Sequence, residues 1–310
     1  MHMKKNGLHT VDGKRRAPFK RILVGGLIFC MLLSAIPAGV AASEVVSFLD
    51  ANLEAAVREE LGISGGDITD DDMAALRVLD ADEREISDLT GLEYAINLRD
   101  LDLEDNQVSD LGPLANLTNL WKLDLEGNQV SDLSPLANLT DLRDLDLEDN
   151  QVSDLGPLAN LTNLRNLDLE ENQVSDLSPL ANLTDLRKLD LEDNQVSDLG
   201  PLANLTRLRE LGLESNQVSD LSPLVNLTRL KKLDLEENQV SDLTPLAGLP
   251  YLRDLDLESN RVSDLTPLLD SKLSRGSSVK LYHNDLDFTP GSAAMRDIEA
   301  LEERGVDVSY

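Results

Sequence analysis

Two carboxylates set two residues apart return every 22 residues along this chain. The aspartates are Asp102, Asp124, Asp146, Asp168 and Asp190, continuing to Asp234 and Asp256. The glutamates are Glu104, Glu126, Glu148, Glu170 and Glu192, continuing through Glu214 and Glu236 to Glu258. Asp80 and Asp82 begin the two rows, and Gly212 interrupts the first. Such residues are equipped for three kinds of chemistry. A pair of carboxyls with unlike pKa values can act as general acid and base. Several carboxylate oxygens can hold Ca²⁺, which takes roughly six to eight. A run of negative charge can receive a basic partner. Catalysis has the least support, because no pair differs in sequence surroundings from its copies. Beyond residue 42 the only His is His283 and there is no Cys. No Gly-rich phosphate loop and no His/Cys ligand cluster occurs, so the chain is read as a non-enzyme without a resident cofactor.

These acids are positioned by a repeat. Asn106, Asn128, Asn150, Asn172, Asn194, Asn216, Asn238 and Asn260 stand 22 residues apart and close the same phrase. One copy reads Leu142-x-x-Leu145-x-Leu147-x-x-Asn150-x-Val152-Ser153-Asp154-Leu155-x-Pro157-Leu158-x-x-Leu161. A fixed period of this length with L-x-x-L-x-L-x-x-N marks a leucine-rich repeat solenoid. Numbering each turn from its first Leu, slots 4 and 6 face inward and slots 3, 5 and 7 outward, because strand side chains alternate. The acids of slots 5 and 7 then form two ladders on a concave parallel sheet. Slot 2 (Arg77, Arg99, Trp121, then Arg143 onward) is expected to counter them. Ser-Asp-Leu-x-Pro-Leu is expected to start a short helical stretch on the convex side, with Ser or Asp as cap. The Asn is expected to bond backbone groups in the turn leaving the strand.

The fold class is therefore an α/β solenoid, a leucine-rich repeat right-handed superhelix with a concave parallel β-sheet and helical caps. Residues 76–288 make about ten turns, the first worn (Ala81, Arg84) and the last following an insertion of two residues. Residues 43–75 read as a helical N-terminal cap. Asp50 to Leu61 is amphipathic and ends at Gly62, and Thr69 with Asp72 looks like a capping box. Residues 289–310 read as a C-terminal cap, helical from Pro290 to Arg304 with Met295, Ile298 and Leu301 inward and a final strand at Val306 to Val308. Caps close the open ends of such a core.

The phrase with Ser-Asp-Leu-x-Pro-Leu-Ala-Asn-Leu-Thr resembles the internalin-type leucine-rich repeats of bacterial surface and secreted proteins. Leu89-Thr90-Gly91-Leu92-Glu93-Tyr94 also recurs in that family, and the resemblance spans about residues 44–310. It implies a non-enzymatic binding module whose concave face grips a protein. The concave slots here are almost free of aromatics and no wall-anchoring region follows, so host adhesion does not carry over.

Residues 1–42 read as a secretory signal peptide: a basic start (Lys14, Arg15, Arg16, Lys20, Arg21), an apolar run from Ile22 to Ile36, then small residues to Ala42. The run is short for a membrane span, which needs about 20 residues. Arg15-Arg16 loosely resembles a twin-arginine signal, and Phe29 before Cys30 argues against a lipid anchor. Removing this segment leaves 21 basic and 57 acidic residues, net −36, against −30 for the whole chain. Such a surface disfavours nucleic acid and anionic membranes. Without Cys30 there is no disulfide, so stacked leucines must supply stability.

The ladders admit four accounts: duplicated solvent surface, a docking face for a basic protein anchored by Trp121, Ca²⁺ binding, or adaptation to high salt. Like charges ~5 Å apart repel by about 0.8 kcal/mol in water, less at physiological salt, so the rows are tolerable. Trp121 reads equally as an indole covering a neighbouring Arg stem. The Asp67–Asp72 acids read as helix-start charge. The six Asn-Leu-Thr triplets from Asn116 to Asn226 read as turn structure rather than sugar sites. The expected function is that of a monomeric, secreted or cell-surface protein binding an unidentified, basic protein through its acidic concave face. The alternative is a structural envelope protein whose ladders handle cations or salt.

Overall fold

The computed structural model describes residues 43–310. The signal-peptide reading of residues 1–42, with the Arg15-Arg16 pair and Cys30, lies outside them. Three-residue strands recur in step with the Leu-x-Leu of each repeat. They are β1 (Val78–Asp80), β2 (Asp100–Asp102), β3 (Lys122–Asp124), β4 (Asp144–Asp146), β5 (Asn166–Asp168), β6 (Lys188–Asp190), β7 (Glu210–Gly212), β8 (Lys232–Asp234), β9 (Asp254–Asp256), β10 (Ser278–Lys280) and β11 (Asp307–Ser309). They form one parallel sheet in sequence order, open at both ends. The register is that of the repeat, so Leu145 pairs with Leu123 on one side and Leu167 on the other. Each strand of the repeats covers slots 3 to 5, and slots 4 and 6 point inward. Their leucines, with those of slot 1 and the convex arc, are almost completely buried in a single core.

The Asn side chains hold neighbouring turns together. Asn150 Nδ2 donates to Leu125 O of the preceding turn at 2.8 Å and to Glu148 O of its own turn at 3.0 Å. Its Oδ1 accepts from Val130 N at 2.8 Å. The pattern recurs from Asn106 to Asn260 and ends at Asn284. Each of the eight is 7–8% exposed, so every bond replaces one that water cannot provide. The residue before the Asn is left-handed in every turn, whether Asp105, Glu171 or Ser259, and Gly127 supplies it once.

On the far side of the turn the chain forms short 3₁₀ helices such as Ser134–Asn138 and Gly156–Asn160, with Pro near the start. The expectation that Ser or Asp caps them is corrected: the preceding Leu occupies the cap position and makes no side-chain hydrogen bond. Asp132 Oδ1 instead accepts from Ser134 N two residues on, at 2.8 Å. This is an Asx turn, which a short side chain makes with its own backbone. The last of these segments is a helical turn, α3, at Thr266–Leu269, numbered after α1 and α2 of the amino-terminal end.

At that end α1 (Ala51–Leu61) buries Leu53, Ala56 and Val57 and packs on β1. Asp50, expected inside the helix, is its cap, accepting from Asn52 N and Leu53 N, and Gly62 closes it at φ 67°. Thr69 and Asp72 form the capping box of α2 (Asp70–Met73). At the other end α4 spans Ala293–Glu303 and buries Ala294, Ile298 and Leu301 against β11 and α3. It starts three residues later than the sequence suggests because Gly291 turns the chain at φ 83° and Ser292 is the cap.

Candidate functional site: the acid-lined sheet

Strand register carries each ladder acid to its copy: Asp102 pairs with Asp124, then Asp146, Asp168 and Asp190 in line. The Asp carboxyl is fixed by its own strand. Asp146 Oδ1 accepts from Glu148 N at 3.2 Å, Asp168 from Glu170 N at 3.3 Å and Asp256 from Glu258 N at 3.1 Å. Asp168 and Asp256 are buried, at 8% and 6% exposure. Asp124 with Glu126 and Asp146 brings three carboxylate oxygens within 4.8 Å of one another. So do Asp146 with Glu148 and Asp168, and Asp168 with Glu170 and Asp190. The group repeats at Glu192, Glu214 and Asp234, and at Asp234, Glu236 and Asp256. Asp102 of β2 pairs with Asp124 beside them, and Glu104 follows it two residues on.

The counter-charges come from slot 3 and, in the last turn, from slot 5, not from slot 2. Lys188 Nζ lies 2.7 Å from Asp168 and 3.4 Å from Asp190. Lys122 lies 3.7 Å from Asp102 and 3.4 Å from Asp124, and Lys280, in the slot 5 position directly beside Asp256, lies 2.5 Å from it. Among the described residues no slot 2 cation forms an ion pair with the ladders. The reason is geometric: slots 3 and 5 share the outer face of one strand, whereas slot 2 precedes the strand. Trp121 belongs to slot 2, so it stands beside the ladders and not among them. It is 40% exposed, in a depression of about 360 Å³ with Arg99, Asn119, Asp141 and Arg143.

The carboxyls are not equivalent, contrary to the sequence reading. Burial, then the neighbouring carboxylates, raises Glu126 and Glu148 to about 7. Asp146 rises to about 6, again chiefly by burial, against the opposing bond from Glu148 N–H. Glu192 reaches about 8, through burial, then Asp190 and Asp234. Partial burial pulls Lys188 down, but its bond to Asp168 and that group's charge outweigh this and hold it above the usual lysine range. Gly212 explains the extreme at Glu192. A Cβ there would lie 2.0 Å from Asp190 Oδ1 and 2.9 Å from Glu192 Oε1. Both acids lean into the vacated space, where Asp190 Oδ1 is buried without a hydrogen-bond partner.

The sequence reading missed Lys122, Lys188 and Gly212 as determinants of this face. The break at 212 and the slot 3 lysines were the available signals. The arrangement can hold protons near neutral pH and attract cationic groups. His283 stands apart in the last turn, 76% exposed, with Nδ1 3.2 Å from Glu258.

The family model for leucine-rich repeats (two copies) matches residues 96–138, 122–160, 140–182, 184–226 and 228–270. The crystal structure of internalin C2 from Listeria monocytogenes is 42% identical, with a TM-score of 0.65, covering 66% of this chain and 92% of that one. The internalin InlF of the same organism is 30% identical, with a TM-score of 0.59, over 85% of this chain and 91% of that one. The functional domain of InlJ shares the fold at 22% identity and a TM-score of 0.64, covering 86% and 62%. Comparison with curated proteins finds no match. With eleven strands in one parallel sheet and a helix on either side of it among the described residues, and with relatives of this kind, the chain belongs to the leucine-rich repeat family and is of the internalin type.

Proposed function

We propose that this chain is a secreted or cell-surface, non-enzymatic module that works as a monomer and binds a basic protein through the acidic concave side of its sheet. The observation that carries the reading is the regular side-by-side placement of Asp and Glu oxygens, five groups within 4.8 Å, on a backbone fixed by the Asn bonds. A preorganised row of charge loses little freedom when a partner docks, and it speeds encounter with the opposite charge. Export rests on the residues 1–42 reading. Among the described residues no helix is long and apolar enough to cross a membrane.

The test compares partners captured by the full chain and by a variant with Asn at Asp146, Asp168 and Asp190 and Gln at Glu148, Glu170 and Glu192. A single basic protein retained by the first, lost by the second and released by salt supports the reading. Equal capture by both baits would reject it. A second reading, cation handling by the same face, is favoured by the carboxylate groups of three. It predicts a melting temperature that climbs steeply with Ca²⁺ at fixed ionic strength, which the first reading does not.

A further inference from the structure

This chain, with a net charge of −30, nevertheless carries a continuous basic strip at the N-terminal ends of its strands. Arg143, Arg165, Arg187, Arg209, Lys231 and Arg253 occupy slot 2 of successive turns. Their backbones are joined in an unbroken series: Arg165 N to Arg143 O at 2.8 Å, Arg187 N to Arg165 O at 2.7 Å, and so on to Arg253 N to Lys231 O at 2.9 Å. The cations therefore recur at the strand spacing of ~4.8 Å. Among the described residues none of the six forms an ion pair, and the lysines of slot 3 already serve the ladders. An exposed aromatic ring stands near each end. Trp121 lies in its depression between Arg99 and Arg143, where Asp141 is the single acid. Tyr251, 57% exposed, lies in a second depression of about 250 Å³ with Arg209, Arg229 and Lys231, and no acid lines it.

We propose that this strip binds a linear anionic polysaccharide bearing carboxylates on its rings. A guanidinium fork matches a carboxylate in shape as well as charge. The C–H face of a sugar ring stacks on an indole or phenol, so the two aromatics at the ends suit rings more than flexible acidic side chains. One uronate ring has nearly the length of one strand spacing, so ring count and turn count run together along the strip. From Trp121 to Arg253 the strip crosses six turns, about 29 Å at the sheet spacing, which suits a chain of about that many rings. The ligand is opposite in sign to the partner proposed for the ladders, so neither reading depends on the other.

Trp121 is the only tryptophan of the chain, so its emission reports on this strip alone. Titrating the full chain with galacturonate hexamer is expected to shift that emission, with affinity falling as salt rises. The Arg187→Gln/Arg209→Gln variant is expected to bind at least about tenfold more weakly by calorimetry, as loss of two charge-assisted contacts implies. Both positions are exposed, so its melting should match the parent. The Arg187→Lys/Arg209→Lys variant, which keeps charge without the fork, should fall between, and the ladder change Glu148→Gln should leave affinity in place. No heat and no emission change with the hexamer would overturn the proposal. So would unchanged binding by the Gln variant, or hexaglutamate binding as tightly as the sugar, which would make the ligand an acidic peptide.

Discussion

At the scale of single residues, the ladders become unequal at Glu192. Burial first, then the charges of Asp190 and Asp234, lift its carboxyl from 4.5 to about 8. The group takes up a proton more readily folded than unfolded, so its contribution to stability is full below about 4.5 and is lost as pH rises through about 8. Melting temperature should therefore fall as pH climbs through this window, with Glu126 and Glu148 adding to the slope in the same direction. Glu192→Gln should make the fall shallower. An identical slope in the variant would show that Glu192 is solvated as an ordinary surface acid.

At the scale of the repeat, the Asn bond is the element that turns a row of leucines into a fixed stack. Asn194 Nδ2 donates to Leu169 O at 2.7 Å and Glu192 O at 2.9 Å, and its Oδ1 accepts from Val174 N at 2.8 Å. Asn194→Ala strands these groups inside the turn and should cost about 2–4 kcal/mol, since each unsatisfied buried group costs roughly 1–3. Asn116→Ala, at an exposed position of the Asn-Leu-Thr triplet, should cost little. Urea unfolding of both variants provides the measurement, and equal midpoints would contradict the role given to the ladder. Leu145, Leu147 and Asn150 were legible in the sequence because buried slots tolerate few residue types, so the period survives there. The strand register followed from them. The pairing of Lys188 with two aspartates was not legible, because it depends on which face of the strand slot 3 shares. Nor was the cap position of Leu133, because Asp132 has a closer backbone partner in its own turn. The collapse of Asp190 and Glu192 toward Gly212 required side-chain positions, although the missing aspartate marked the place.

At the scale of the whole described unit, each strand bonds only to its neighbours in sequence, and stability is a sum of turns and of the seams between them. The caps matter accordingly: α1 covers β1, and α4 closes on β11, so neither terminal leucine layer faces water. The sheet hydrogen bonds and the Asn bonds both join one turn to the next, along the direction in which turns stack. Tension applied between Ser43 and Tyr310 would therefore load the seams one at a time, as in peeling, rather than shearing many together. Each released turn of 22 residues would lengthen the chain by up to about 75 Å, from an extended length of ~3.3–3.6 Å per residue. A force–extension trace should show a series of low, evenly spaced steps, whereas one tall rupture would mean the turns yield together. On this account the molecule is an extensible tether, paying out length under load while its remaining turns keep both charged rows intact.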